Sequence, residues 1–176
     1  IFITFFIIIL IITSYKNIEN PTPKISIFLA LFFSMGLAFK FSFLPSIIPI
    51  FFSYFFVYRS NYLSRYEFLK LLLIFFFSVI CFLAIFQPYM FLDYSTYISH
   101  ILEQSKMVRG IYDFPYTRQY ENTWNYVYQF DQLFKWGLGP ILGTICYLGF
   151  IYFIFYTYKY KSKLGFMILL WVNIYV

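Results

Sequence analysis

The sequence predicts an all-α, polytopic membrane protein of about six transmembrane helices, the terminal ones truncated, with an additional outer amphipathic helix. Three observations predict it. Of 176 residues, 62% are hydrophobic and only 11% are charged, whereas a water-soluble domain carries roughly a quarter charged residues. Uncharged apolar runs recur along the chain, and a helix needs about 20 such residues to cross a bilayer. The links between the runs are alternately rich and poor in Lys and Arg, the asymmetry that orients membrane helices. The net charge of +6 would suggest nucleic acid in a soluble protein. Here membrane orientation absorbs it, and no nucleic-acid partner is expected.

The elements follow in order. Residues 1–15 are uncharged and read as the last part of a span, and the link 14–24 (SYKNIENPTPK) is polar, with Pro21 and Pro23 breaking any helix. Residues 25–39 and 41–58 are uncharged on either side of Lys40. A single span over both is too long, so they read as two helices meeting at Lys40. Gly36 lets the first pack closely, while Pro45 and Pro49 start and bend the second. The link 59–70 (RSNYLSRYEFLK) is basic, and a span follows over 67–86. After a long polar stretch, 136–158 is long enough to cross; the link 159–163 (KYKSK) is basic, and 164–176 begins another span. The chain opens at Ile1 and closes at Val176, each inside an apolar run, which reads as an internal piece of a longer polytopic protein. Cys81 and Cys146 fall inside apolar runs with no metal-ligand spacing and read as lipid-facing or packing residues.

Charge sets the orientation. The links at 14–24, 59–70 and 159–163 carry Lys16, Lys24, Arg59, Arg65, Lys70, Lys159, Lys161 and Lys163 against Glu19 and Glu67. They are expected on the cytoplasmic side of the cell (inner or plasma) membrane. The loop 87–135 then faces the periplasm or cell exterior. Its residues Asp93, Glu103, Asp113, Glu121 and Asp131 balance Lys106, Arg109, Arg118 and Lys135, with Lys40 on the same side.

Most of the candidate chemistry lies in that outer stretch. Asp93 is placed to cap a helix over 94–109 that Gly110 ends. Tyr94, Tyr97, Ile98, Ile101 and Leu102 share one face of it, as suits a helix lying along a membrane surface. His100 and Glu103 are one turn apart and are candidates for an acid/base pair or a shared ligand, beside the plainer reading of a solvated histidine. Asp113, Tyr116, Arg118, Gln119 and Tyr120 crowd one loop whose hydrogen-bonding groups and rings suit a sugar or phosphate, or an ordinary external loop with Arg–carboxylate pairs. The aromatic run 123–135 (TWNYVYQFDQLFK) fits an interfacial belt. Lys40 is either a lysine reaching to the outer headgroups or a cation that holds a lipid-linked phosphate. Asp93, Glu103 and Asp113 are compatible with a divalent metal, but their spacing is not diagnostic.

Gly36-Leu37-Ala38-Phe39-Lys40-Phe41-Ser42 resembles a segment of the family 39 membrane glycosyltransferases, the dolichyl-phosphate-mannose-protein mannosyltransferase-like enzymes of GT-C fold. Phe39 and Phe41 depart from the Thr and Tyr common there. Pro88-Tyr89 with Asp93, then Pro115-Tyr116-Thr117-Arg118-Gln119-Tyr120 with Thr123, then Trp136-Gly137-Leu138-Gly139 resemble the family's bacterial members in order and spacing. The resemblance spans residues 36–158. It implies a glycosyltransferase of hexosyltransferase type, taking sugar from a polyprenyl-phosphate donor on the outer face, with membrane lipid as its other partner. It also implies that the catalytic carboxylate lies in an earlier outer loop, so no catalytic residue is expected in this fragment. Lys40, Arg109, Tyr116, Arg118, Gln119 and Tyr120 are then the candidates for donor phosphate or sugar. The sugar and the acceptor are not legible. A transporter or lipid flippase is the alternative, and a membrane scaffold or sensor a third; uncharged spans argue against proton or ion coupling.

Overall fold

The computed structural model describes residues 2–60, 63–112, 115, 118, 123–124 and 127–175. Helix dominates, and no strand occurs among the described residues. The chain divides into two compact units, Ile1–Tyr94 with Phe166–Tyr175, and Ser95–Gly165.

The first unit holds α1 (Phe2–Glu19), α2 (Pro23–Phe39), a 3-10 turn (Phe41–Ser46), α3 (Ile47–Arg59), α4 (Arg65–Phe86), the one-turn α5 (Tyr89–Leu92) and most of α9 (Lys163–Tyr175). Runs such as FITFFIIIL are rich in β-branched and aromatic residues, which favour strands in water. Helix is what a bilayer would favour for such runs, since it offers no water to the backbone and a helix satisfies its own N–H and C=O groups. Helix ends follow local signals. Thr22 caps α2, its Oγ1 accepting from the Ile25 N–H at 3.4 Å, with Pro23 in the first turn. Ser64 caps α4 in a reciprocal box: its Oγ accepts from the Glu67 N–H at 3.2 Å, while the Glu67 carboxylate accepts from the Ser64 N–H at 2.9 Å.

Among the described residues, four helical segments are long and apolar enough to cross a membrane: Phe2–Glu19, Phe41–Arg59, Arg65–Phe86 and Pro140–Tyr160. Pro23–Phe39 and Lys163–Val172 are apolar but shorter. Four of the expected six or so spans thus have the length and composition to cross. At 1.5 Å per residue the 17 residues of α2 reach only about 26 Å, against a hydrocarbon core of about 30 Å. Boundaries shift as well. The first helix runs on from residue 15 to Glu19, because Ser14 and Asn17 are buried and helical rather than part of a polar link. The second begins at Pro23, not 25, and α4 at Arg65, not 67, each under its cap. The expected helix 41–58 opens as a 3-10 turn through Pro45 before α3 starts at Ile47.

Burial in this unit is inverted relative to a water-soluble protein. Leu73 and Phe77 on α4 are 69% and 70% exposed, while Ser14, Asn17, Ser26, Ser34 and Ser53 are wholly buried. Exposed apolar surface on this scale belongs against lipid, and small polar residues between helices let backbones approach and bond. α2 is central, packing on α1 and α4 through Leu29, Ala30, Phe33 and Leu37. Phe75 of α4 meets Tyr54 of α3 with ring centroids 5.8 Å apart. Phe166 of α9 lies against Phe52, centroids 5.5 Å apart.

The pairings fix two ends. Asn17 meets Ser53, Ser26 meets Tyr54, and Tyr54 meets Phe68, so the C-termini of α1 and α3 and the N-termini of α2 and α4 share one end. Phe2 and Phe6 meet Phe39, and Gln87 meets Ala38, at the other. Lys16, Lys24, Arg59, Arg65 and Lys70 all belong to the first end, and Lys40 alone among the unit's lysines and arginines to the second.

The second unit contains α6 (Tyr94–Val108, apart from Tyr94 itself), α7 (Val127–Gln132), a π-helical turn (Leu133–Leu138), α8 (Pro140–Tyr160) and the start of α9. The α7–π segment doubles back along α8. The Tyr147 phenol donates to the Phe130 carbonyl at 2.6 Å, and Phe134 stacks on Tyr147. Gly143 leaves the room in which the Phe134 ring sits. The span expected from residue 136 therefore starts at Pro140. Gly139, at φ 75°, breaks the chain, and Pro140 occupies the first turn, where a missing N–H costs nothing.

Candidate functional site

The candidate residues fall into both units, and each group is built by its own local structure. Lys40 is the hinge between α2 and the 3-10 turn. Its backbone is extended, with φ −158° and ψ 125°, and both its backbone groups are used: its N–H donates to Gly36 O at 3.1 Å and its carbonyl accepts from Phe43 N–H at 2.9 Å. The chain turns this sharply because Phe43, itself fully buried, lies against the bare Cα of Gly36, where any Cβ would collide with the ring. Gly36 thus admits the turn rather than a neighbouring helix, the contact expected from sequence. The Lys40 side chain is exposed and makes no ion pair among the described residues.

Close to this turn, the Gln87 side-chain amide donates to Ala38 O at 3.5 Å, which ties the end of α4 to the end of α2. Pro88 then starts α5, and Asp93 follows it with its N–H on Tyr89 O at 3.0 Å. Lys40 and Asp93 therefore lie at the same, lysine-poor end of the first unit.

In the second unit α6 begins at Tyr94, as expected after Asp93, and ends at Val108 rather than 109. Its end is a Schellman motif: Gly110, at φ 69°, donates to Met107 O at 3.1 Å and Ile111 to Lys106 O at 3.0 Å. Arg109 sits at this cap, exposed. The helix is amphipathic as expected. Tyr97, Ile98 and Ile101 are partly covered, while Ser95, Ser99, His100, Glu103 and Gln104 are exposed; Tyr94 and Leu102, counted on the apolar face, are exposed too. Burial pushes the Tyr97 phenol above its ordinary pKa, as a ring on the apolar side of such a helix requires. His100 Nδ1 and Glu103 Oε2 approach to 3.7 Å with both side chains more than half exposed. The structure brings them together but not into a cleft, and a solvated pair of this kind is worth little on its own.

Arg118 is exposed. Tyr116, Gln119 and Tyr120, with Asp113, lie outside the described residues. Among the described residues no three His, Cys, Asp or Glu side chains converge as a metal site would require. Cys81 and Cys146 are free thiols on exposed faces of α4 and α8.

Sequence reasoning missed the buried polar seam of the first unit. Asn17 Nδ2 donates to Ser53 Oγ at 3.2 Å, Tyr54 OH to Ser26 Oγ at 2.8 Å, and Ser34 Oγ to Val79 O at 3.3 Å. The signal was present: Ser26 and Ser34 recur at helical spacing within an apolar run, and Ser14 and Asn17 continue one face of the apolar run before them. The capping box Ser64-x-x-Glu67 was equally legible. Comparison of the chain with protein-family models, with curated proteins and with solved structures finds no match.

Proposed function

We propose that the chain is part of an integral membrane glycosyltransferase that takes a sugar from a polyprenyl-phosphate donor on the outer face of the membrane. In this reading α2 and α9 complete a set of six spans by tilting or by local thinning of the bilayer. The lysine-rich end of the first unit is cytoplasmic and the Lys40 end is outer. The observation that carries the proposal is the Lys40 turn. One exposed cation stands between α2 and α3, on a backbone pinned at both its hydrogen-bonding groups, and the other charges of these two helices, Lys24 and Arg59, lie at the opposite end. A lipid-phosphate leaving group develops negative charge as the sugar departs. A cation already positioned at the interface stabilises that charge without reorganising. Arg118 and then Arg109 are the further cations offered to the donor, with Tyr116, Gln119 and Tyr120 offered to the sugar. Asp93 and the His100–Glu103 pair remain acid/base or ligand candidates.

The test is sugar transfer from a radiolabelled polyprenyl-phosphate hexose by the full-length, membrane-embedded protein that contains this chain, comparing Lys40→Ala, Arg118→Ala and the unsubstituted protein. Loss of one charge-stabilising contact is expected to lower turnover by about 10²–10³-fold. Full transfer by both variants would refute the role given to these cations. Movement of intact donor across vesicles without transfer to any acceptor would favour a flippase.

A further inference from the structure

One face of α4 is unused by the bundle. Leu71, Phe75 and Leu83 turn inward, whereas Tyr66, Leu69, Lys70, Leu73, Ile74 and Phe77 line an open groove of about 600 Å³ on another face. These positions recur at three- and four-residue steps over three turns, roughly 16 Å of helix. The groove is polar at one end only. Tyr66 and Lys70 stand in the first turns of α4, and the remaining lining is aliphatic or aromatic.

From this polarity we propose that the groove is a binding site for one anionic phospholipid. Its phosphate sits at the Lys70 ammonium and the Tyr66 hydroxyl, and one acyl chain lies along Leu69, Leu73, Ile74 and Phe77. Three observations carry it. Lys70 is not committed elsewhere by an ion pair among the described residues. Glu67, one turn before it, feels the Lys70 charge but forms no ion pair with it; its carboxylate accepts from the Ser64 N–H at 2.9 Å and the Ser64 hydroxyl at 2.8 Å. The polar end of the groove coincides with the end of the unit that gathers Lys16, Lys24, Arg59 and Arg65, so the field there favours an anion. A second copy of the chain fits poorly. Two copies in one membrane share an orientation, so a two-fold contact along this face sets Lys70 against Lys70. A lipid supplies the opposite charge at the polar end and hydrocarbon along the rest. The inference needs only that α4 spans a membrane and is independent of the sugar-transfer reading.

The experiment is native mass spectrometry of the chain released from nanodiscs of equal phosphatidylglycerol and phosphatidylcholine, with Lys70→Gln, Lys70→Arg and Lys16→Gln variants. Lys16→Gln removes a charge at the same end but outside the groove. The expected result is retention of phosphatidylglycerol over phosphatidylcholine. That preference falls about five-fold in Lys70→Gln, the worth of one cation at a lipid surface, and is kept in Lys70→Arg and Lys16→Gln. In parallel, Leu73→Cys carrying a photoreactive label, in a chain with Cys81→Ser and Cys146→Ser, is expected to cross-link to phospholipid. Equal loss in Lys70→Gln and Lys16→Gln overturns the site in favour of diffuse attraction to the basic end. Absence of any preference overturns it outright, and cross-linking of Leu73→Cys to a second chain assigns the groove to a dimer. The cross-link is read in a chain that keeps Lys70, so it stands even where Lys70→Gln does not fold.

Discussion

Replacing Ser53 by alanine exposes how the buried polar seam works. Asn17 and Ser53 are both wholly buried, and the 3.2 Å bond from Asn17 Nδ2 to Ser53 Oγ joins α1 to α3. The other amide atom, Asn17 Oδ1, has no hydrogen-bond partner among the described residues. An interhelical bond of this kind in a membrane protein averages about 0.6 kcal/mol. Ser53→Ala removes that bond and leaves the whole amide unpartnered, and a stranded buried polar group costs about 1–3 kcal/mol. The expected destabilisation is therefore about 1–2 kcal/mol, more than the bond alone. Asn17→Leu is the contrasting change. Leucine matches asparagine in its branching, forfeits the same bond, and also removes the stranded carbonyl, so the two terms nearly cancel. In an Asn17→Leu background Ser53→Ala should cost almost nothing, because Ser53 then loses only its own 2.7 Å bond to the Ile50 carbonyl, which the helix already uses. The assay is reversible unfolding in bicelles by steric trapping, run as a double-mutant cycle with an expected coupling of about 1–2 kcal/mol. A Ser53→Ala cost that is the same in both backgrounds to within about 0.3 kcal/mol would show the two residues to be independent and refute the reasoning.

Three other predictions rest on the space and backbone conformation at single residues. Gly36→Val forces a side chain into the Phe43 ring and is expected to destabilise the first unit by about 1–3 kcal/mol, as overpacking does. A Phe43→Ala partner change should recover part of that loss in the same unfolding assay. Gly110 has open space around its Cα, so Gly110→Ala meets only the left-handed backbone penalty of about 1–2 kcal/mol. Lys161, a non-glycine residue at φ 49° that ends α8 in the same manner, predicts the opposite sign. Lys161→Gly should slow amide exchange across the last turn of α8, while Gly110→Ala should speed it at the end of α6.

Much of the fold was legible because the bilayer simplifies the code. Uncharged length marks a span and lysine marks a side, and the first unit sorts Lys16, Lys24, Arg59, Arg65 and Lys70 from Lys40 by that rule. What sequence reasoning misjudged was polarity inside a helix. Ser14, Lys16, Asn17 and Glu19 looked like a link, yet α1 continues through them, since one side of that turn is buried against Ser53 and the other carries the charges. The start of α8 was misplaced by four residues for a related reason. Trp136, Gly137 and Leu138 are apolar enough to extend a span, but Gly139 adopts a conformation that only glycine reaches easily, and Pro140 resets the helix. The candidate site was legible as residue types rather than as geometry. His100 and Glu103 meet because one helical turn dictates it, whereas hydropathy carries no information on how far a loop brings Arg118 toward any partner.

The ranking of Lys40 ahead of the other proposed donor contacts follows from how its position is fixed. A lysine that merely reaches for headgroups needs no particular backbone, since its four-carbon stem does the reaching. Here the backbone is specified from both sides. Gly36 accepts the Lys40 N–H and leaves its Cβ position vacant for Phe43, and the Phe43 N–H in turn closes on the Lys40 carbonyl. Pro45 and Pro49 follow in the 3-10 turn and the first turn of α3, where few N–H groups have helical partners to lose. Each of these residues restricts where the Lys40 stem leaves the chain, and none offers its ammonium an ion pair. A turn built this way sets the origin of a charge without using the charge itself, which is what the proposed stabilisation of a departing phosphate would require.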